Sequence, residues 1–157
     1  MKGQGILGII IVIFLMIVVV VLLFGVVGNI FKSGPYVPSV SFTMTPTSVT
    51  VKNGTMSSMI TLQVVKQDTK NIPTQFTINL KPSVNNVSIM STFTGQPTTN
   101  YTTKTLTSSG SSDTFEFKVK GALPQGLNSE AYNITASLDY NGTSISQPQI
   151  LTVQVTK

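Results

Sequence analysis

From Ile6 to Val27 the chain is apolar without a break, and the least apolar positions in that stretch are Gly8 and Gly25. As a helix, these 22 residues would rise about 33 Å, against roughly 30 Å for the hydrocarbon core of a bilayer. The run is apolar all round rather than along one stripe, which is the pattern of a helix buried in lipid or among other helices. No Asp or Glu interrupts it, which speaks against an ion path or proton relay. The sequence therefore predicts a long apolar α-helix at the N-terminus, residues 1–32, that holds the rest of the chain to something apolar. The run is too long for a cleaved secretory signal, and Asn29 to Gly34 is a poor cleavage site. Lys2 and the α-amine precede the run and orient its short end to the cytoplasm, although Lys32 lies beyond the other end. Gly5, Gly8, Gly25 and Gly28 lie near the two ends, where small residues either let helices approach closely or loosen the helix.

Residues 33–38, Ser-Gly-Pro-Tyr-Val-Pro, stop the helix and form a short hinge. Beyond them the apolar period becomes two. Val40, Phe42 and Met44 alternate with Ser and Thr; Val49 and Val51 follow after Pro46. Further series are Ile60, Leu62, Val64; Phe76, Ile78, Leu80; and Phe115, Phe117, Val119. Tyr132, Ile134, Ala136, Leu138, Tyr140 and then Leu151, Val153, Val155 close the chain. Each series turns one face inward and a Thr, Ser, Lys or Asn face outward. Turn signals separate them at Asn53-Gly54, Leu123-Pro124-Gln125-Gly126 and Asn141-Gly142. Seven or eight short strands in residues 39–157 predict one all-β immunoglobulin-like sandwich. Tyr132, at the start of the penultimate strand, is placed either as a corner residue bonding back to the backbone or as ordinary core.

The missing residue types narrow the chemistry. The chain has no Cys, His, Trp or Arg, so thiolate chemistry, disulfides, zinc–sulfur sites and the usual neutral-pH base are absent. The five carboxylates (Asp68, Asp113, Glu116, Glu130, Asp139) are scattered, which is unsuited to a calcium cage. Asp113 and Glu116 are three apart on one strand and so project to opposite faces, which prevents acid–base pairing. No phosphate loop and no Ser-x-x-Lys occurs. The sequence predicts no catalytic residues, no cofactor, no metal and no enzymatic activity. Ten lysines give a net charge of +5, but they are dispersed, as on a solvated strand face, and predict no nucleic-acid partner.

Five Asn-x-Ser/Thr triplets begin at Asn53, Asn86, Asn100, Asn133 and Asn141. If used, they place the domain outside the cell and coat it with sugar.

Lys2-Gly3-Gln4-Gly5, followed at once by the apolar run, resembles the prepilin-peptidase site of archaeal type IV pilins and archaellins. The wider layout, an N-terminal apolar helix, a short hinge and a Thr/Ser/Asn-rich β-domain, is similar to archaeal pilins over the whole chain. The resemblance implies a cut between Gly3 and Gln4, releasing a leader of residues 1–3. It implies a homo-oligomeric surface filament with helices in the core and glycosylated β-domains outside. The subunit would be anchored in the membrane before assembly, and the filament would serve adhesion or aggregation, meeting the surface layer or cell-surface glycans. Two other readings share the layout and retain Met1. One is a monotopic membrane protein whose immunoglobulin-like domain binds the surface layer, as in stator-like components of the archaeal swimming filament. The other is a membrane structural protein of an archaeal virus.

Overall fold

A computed structural model describes residues 13–21 and 34–157. The chain divides into two units, residues 1–36 and Val37–Lys157.

In the first unit, residues 13–21 form a helix. This corrects the expected fold class. Nine residues rise only about 14 Å, and no helix among the described residues is long and apolar enough to cross a membrane. The physical reason is length: a span needs about 20 apolar residues in one helix, about twice what is described here. Most helical stability in proteins comes from packing one face, and every one of residues 13–21 stands exposed, between 37% and 66%. Residues 6–12 and 22–32 of the expected helix lie outside the described residues, as does Ser33 of the hinge.

The second unit is a sandwich of ten strands. They are β1 (Val40–Thr45), β2 (Ser48–Lys52), β3 (Ile60–Lys66), β4 (Thr77–Pro82), β5 (Val87–Ser91), β6 (Asn100–Thr102), β7 (Ser112–Gly121), β8 (Ser129–Tyr140), β9 (Thr143–Ser144) and β10 (Gln149–Thr156). One sheet has the order β1-β3-β7-β5 and the other β2-β10-β8-β4-β6, with β9 on β8. Pairing is antiparallel except between β2 and β10, which run parallel with Val49 beside Val153.

Pro46 explains how one edge of the fold is built. It has no N–H to give to a ladder, so pairing of β1 with β3 ends at Thr45 opposite Thr61. The Thr45–Pro46 bond is cis, and the chain crosses there to the other sheet and resumes as β2. The first strand is thus split between the two sheets. The remaining order matches the immunoglobulin arrangement, with first, second, fifth and fourth strands in one sheet and the third, sixth and seventh in the other. The last strand, β10, lies between β2 and β8, so the sandwich is closed by its own C-terminal strand.

The period-two series supply the core. Phe42, Met44, Ile60, Leu62, Val64, Phe115, Phe117 and Val119 are buried from the first sheet. Val49, Val51, Ile78, Leu80, Tyr132, Ile134, Ala136, Leu138, Leu151, Val153 and Val155 are buried from the second. The two sheets meet closely at Gly121, where an added Cβ would collide with the Val155 side chain.

The strand count differs from the seven or eight expected. β5 adds buried Val87 and Ile89, and β6 and β9 are only three and two residues long. Alternation over so few residues carries little signal against a Ser/Thr/Asn background. Asn141-Gly142 forms the expected hairpin turn, with both residues at positive φ (50° and 79°). Asn53-Gly54 also turns the chain, with Gly54 at φ 77°, but β2 and β3 on either side of it lie in different sheets.

Candidate functional site

The expected processing residues Gly3 and Gln4 lie outside the described residues. The five sequon asparagines are all exposed. Asn53 sits in the turn after β2, where its Oδ1 accepts from the Leu123 N–H at 3.0 Å. Asn100 opens β6 at the margin of its sheet. Asn133 faces outward on β8, where its Oδ1 accepts from Thr152 Oγ1 at 3.4 Å. Asn141 is in the β8–β9 turn. Asn86 precedes β5 and differs from the rest, because its Nδ2, the atom a sugar would take, donates to the Tyr132 hydroxyl at 3.4 Å.

Tyr132 fills both roles considered for it. Its ring is buried, while its hydroxyl donates to Glu130 Oε2 at 2.6 Å and lies 3.3 Å from the carbonyl of Ala122. That backward reach to the main chain is what a corner tyrosine does. The bond to Glu130 favours the neutral phenol and raises its pKa above the usual value. A second tyrosine–carboxylate pair bridges the sheets: Tyr101 on β6 donates to Asp113 Oδ2 at 3.0 Å. The Lys104 N–H donates to the same oxygen at 2.8 Å, and the Tyr101 ring stacks on Phe115 with centroids 4.6 Å apart. Burial, then the bond to Asp113 and its charge, raises the Tyr101 pKa.

Lys66 overturns the expectation that the lysines lie on a solvated face. It is fully buried at the end of β3. Its ammonium donates to the carbonyls of Lys70 (2.6 Å), Ile72 (2.8 Å) and Thr107 (3.1 Å), with Asp68 Oδ1 at 3.7 Å. An ammonium has three donors, and here each meets a main-chain oxygen. The side chain thereby ties the segment after β3 to the segment after β6. The signal was present in the sequence, because residue 66 is in phase with inward Ile60, Leu62 and Val64. The residue type argued for exposure, and only the surrounding loops supply acceptors that make burial tolerable.

The surface of the sandwich carries shallow grooves. A groove of about 510 Å³ is lined by Thr92, Phe93, Tyr101, Thr114, Phe115 and Glu116. Another, of about 320 Å³, lies between the β4 and β5 ends, beside Val84 and Pro97. No cluster among the described residues has the three or more His, Cys, Asp or Glu that would hold a metal ion. The arrangement offers stacking, hydrogen bonds and exposed asparagine side chains.

No family model matches the chain, and no curated protein matches it. Among solved structures, it is similar to the CooA pilin subunit from enterotoxigenic Escherichia coli, with a TM-score of 0.47 and 17% identity over 76% of this chain and 98% of that one. It is also similar to a conjugative transposon lipoprotein from Bacteroides eggerthii, with a TM-score of 0.46 and 16% identity over 75% of this chain and 97% of that one. Each is a likeness of one sandwich to another at low identity, and neither protein's role passes to this chain through it.

Proposed function

We propose that the chain is a structural subunit of an archaeal type IV pilus-like surface filament. The apolar segment, residues 6–27, holds the subunit in the membrane before assembly and lies in the filament core afterwards. The sandwich forms the outer layer, with sugars at the sequon asparagines, and the filament serves adhesion or aggregation. Assembly is of copies of this chain with one another.

One observation carries this reading: the exposed all-apolar helix at residues 13–21, in a chain whose sandwich already closes on its own last strand. Keeping a large apolar side chain in water costs about 1.5–3 kcal/mol. For the nine residues of this helix the cost is on the order of 20 kcal/mol, which lipid or neighbouring copies remove. The sandwich has no vacant place for a donated strand between β10 and β8, so assembly by strand exchange is not called for. Within one filament, the apolar segment then holds successive copies together.

N-terminal sequencing of the native protein, with electron microscopy of material sheared from cells, tests the proposal. A start at Gln4 and labelled filaments are expected. A start at Met1 with no filaments would overturn it and favour the membrane-protein or viral readings.

A further inference from the structure

We infer that the outer face of the β1-β3-β7-β5 sheet is a self-association surface that pairs the sandwiches of two copies of this chain, with Phe93 as its anchor. On β7 the outward residues are Thr114, Glu116, Lys118 and Lys120, so acid and base follow one another along a single strand. None of these three charged side chains is in an ion pair among the described residues. Two methionines lie beside the bases: Met56 opposite Lys120, and Met90 opposite Lys118. Beside the acid is the turn that follows β5, tied down by Thr92, whose N–H and hydroxyl both donate to the Glu116 carbonyl.

That turn is rigidly held. The N–H groups of Phe93 and Thr94 donate to Ser91 Oγ, the Gly95 N–H donates to the Ser91 carbonyl, and Gly95 takes φ 67°. At its tip Phe93 stands 95% exposed. A single exposed apolar residue is ordinary. A phenyl ring on a turn fixed by this many bonds is different, because little further entropy is lost when it docks, and buried aromatic anchors dominate interface energetics. Beside the turn lies a groove of about 190 Å³ lined by Met56, Met90, Ser91, Thr92, Gly95 and Lys118. Methionine adapts its shape to an incoming ring and makes favourable sulfur–aromatic contacts.

The order of charges selects the occupant and its direction. Two copies of this face packed with their β7 strands antiparallel bring Glu116 of each over Lys118 of the other. Packed parallel, they would set like charges together. The same two-fold carries the Phe93 turn, which lies level with Glu116, over the other copy's Lys118 level, where the methionine-lined groove is. No sequon asparagine falls on a strand of this sheet, and Asn86, just before β5, has its amide turned to Tyr132 of the other sheet. A two-fold contact of this kind closes after two copies. It therefore links one assembly to another rather than lengthening one, a step that rests on the filament reading. The contact between sandwiches does not.

The test mixes unlabelled and nitrogen-15-labelled full-length chain in detergent and couples paired carboxylates to amines with a carbodiimide. Mass spectrometry is expected to find peptides of mixed isotope joining Glu116 of one chain to Lys118 of another. Mixing the parent with Glu116→Lys, which keeps one Glu116–Lys118 pair and sets lysine over lysine at the other, should lower interchain coupling on this face at least about tenfold, the effect of roughly 1.4 kcal/mol. Adding Lys118→Glu to it should restore coupling with the roles reversed. Phe93→Ala should lower it comparably while leaving the unfolding midpoint unchanged. Absence of mixed-isotope peptides, failure of the double exchange to restore them, or indifference to Phe93→Ala would each overturn the proposal. Filaments that form normally with Phe93→Ala would leave the filament reading standing.

Discussion

Residues 13–21 and strand β10 are made of much the same material, Ile, Leu and Val, yet they meet opposite fates. In the helix every residue is exposed. In β10, Leu151, Val153 and Val155 are fully buried while Thr152 and Ile150 face outward. What separates the two regions is the polar residue set between each pair of apolar ones in β10, and the period of two that results. Alternation gives a strand one face to bury and one to leave wet, so a sheet can satisfy itself against a second sheet. An unbroken apolar run gives a helix no wet side, so it is complete only when something outside the sandwich surrounds it. The sandwich is finished as a single chain, whereas the helix is not.

The sharpest way to break this comparison is to truncate one buried and one exposed apolar residue. Phe117→Ala, in the fully buried core, should cost about 3–5 kcal/mol of sandwich stability. Val18→Ala in the helix should change it by less than about 0.5 kcal/mol. Urea unfolding followed by near-ultraviolet circular dichroism measures both, and equal shifts would show that the two regions unfold as one. Lys66→Met probes the polar exception inside the sandwich. It keeps an apolar stem but strips the donor from three main-chain carbonyls, and each buried polar group left unsatisfied costs about 1–3 kcal/mol. A loss of roughly 3 kcal/mol is expected, with faster hydrogen exchange confined to the segment after β3 and around Thr107.

Gly121→Ala sharpens the point about closure, since the added methyl meets Val155 of the opposite sheet. Overpacking of this sort costs about 1–3 kcal/mol, and an unchanged melting temperature would mean that the sheets can part at that edge. The smallest effect belongs to the tyrosines. Tyr101 and Tyr132 both have folded-state pKa values above the ordinary value of 10. Above pH 10 the unfolded chain loses these protons more readily than the folded one. Their contribution is therefore complete below pH 10 and lost as pH rises through the folded values. The melting temperature should fall above pH 10, and less steeply in Tyr132→Phe than in the parent.

The strands with three or more alternating apolar residues were readable from the sequence, because each repeats the period often enough to stand out. β2 was readable from Val49 and Val51 with the Asn53-Gly54 turn behind them, whereas β5 and β6 were not: Val87 and Ile89 make only a pair, Tyr101 stands alone, and their pairing comes from β7 and β4. Leu106 belongs with them: it is fully buried between threonines that give no hint of a core position. At the candidate sites, the sequons and the Asn141-Gly142 turn were legible because the signal is local. The bond from Asn86 to Tyr132 was not, since it joins residues 46 apart.

The sequence alone determined that the chain has a wholly apolar run followed by a domain of alternating strands, and that it lacks the residue types for thiol or imidazole chemistry. Those conclusions rest on local period and on composition, which need no knowledge of what packs where. The tertiary structure decided that the first strand is shared between two sheets and that Lys66 is an internal clamp. It also set the exposed Phe93 turn beside the charges of β7. These outcomes depend on which distant segments supply acceptors, ladders and neighbours, and long-range contacts of that kind leave no periodic trace in the chain.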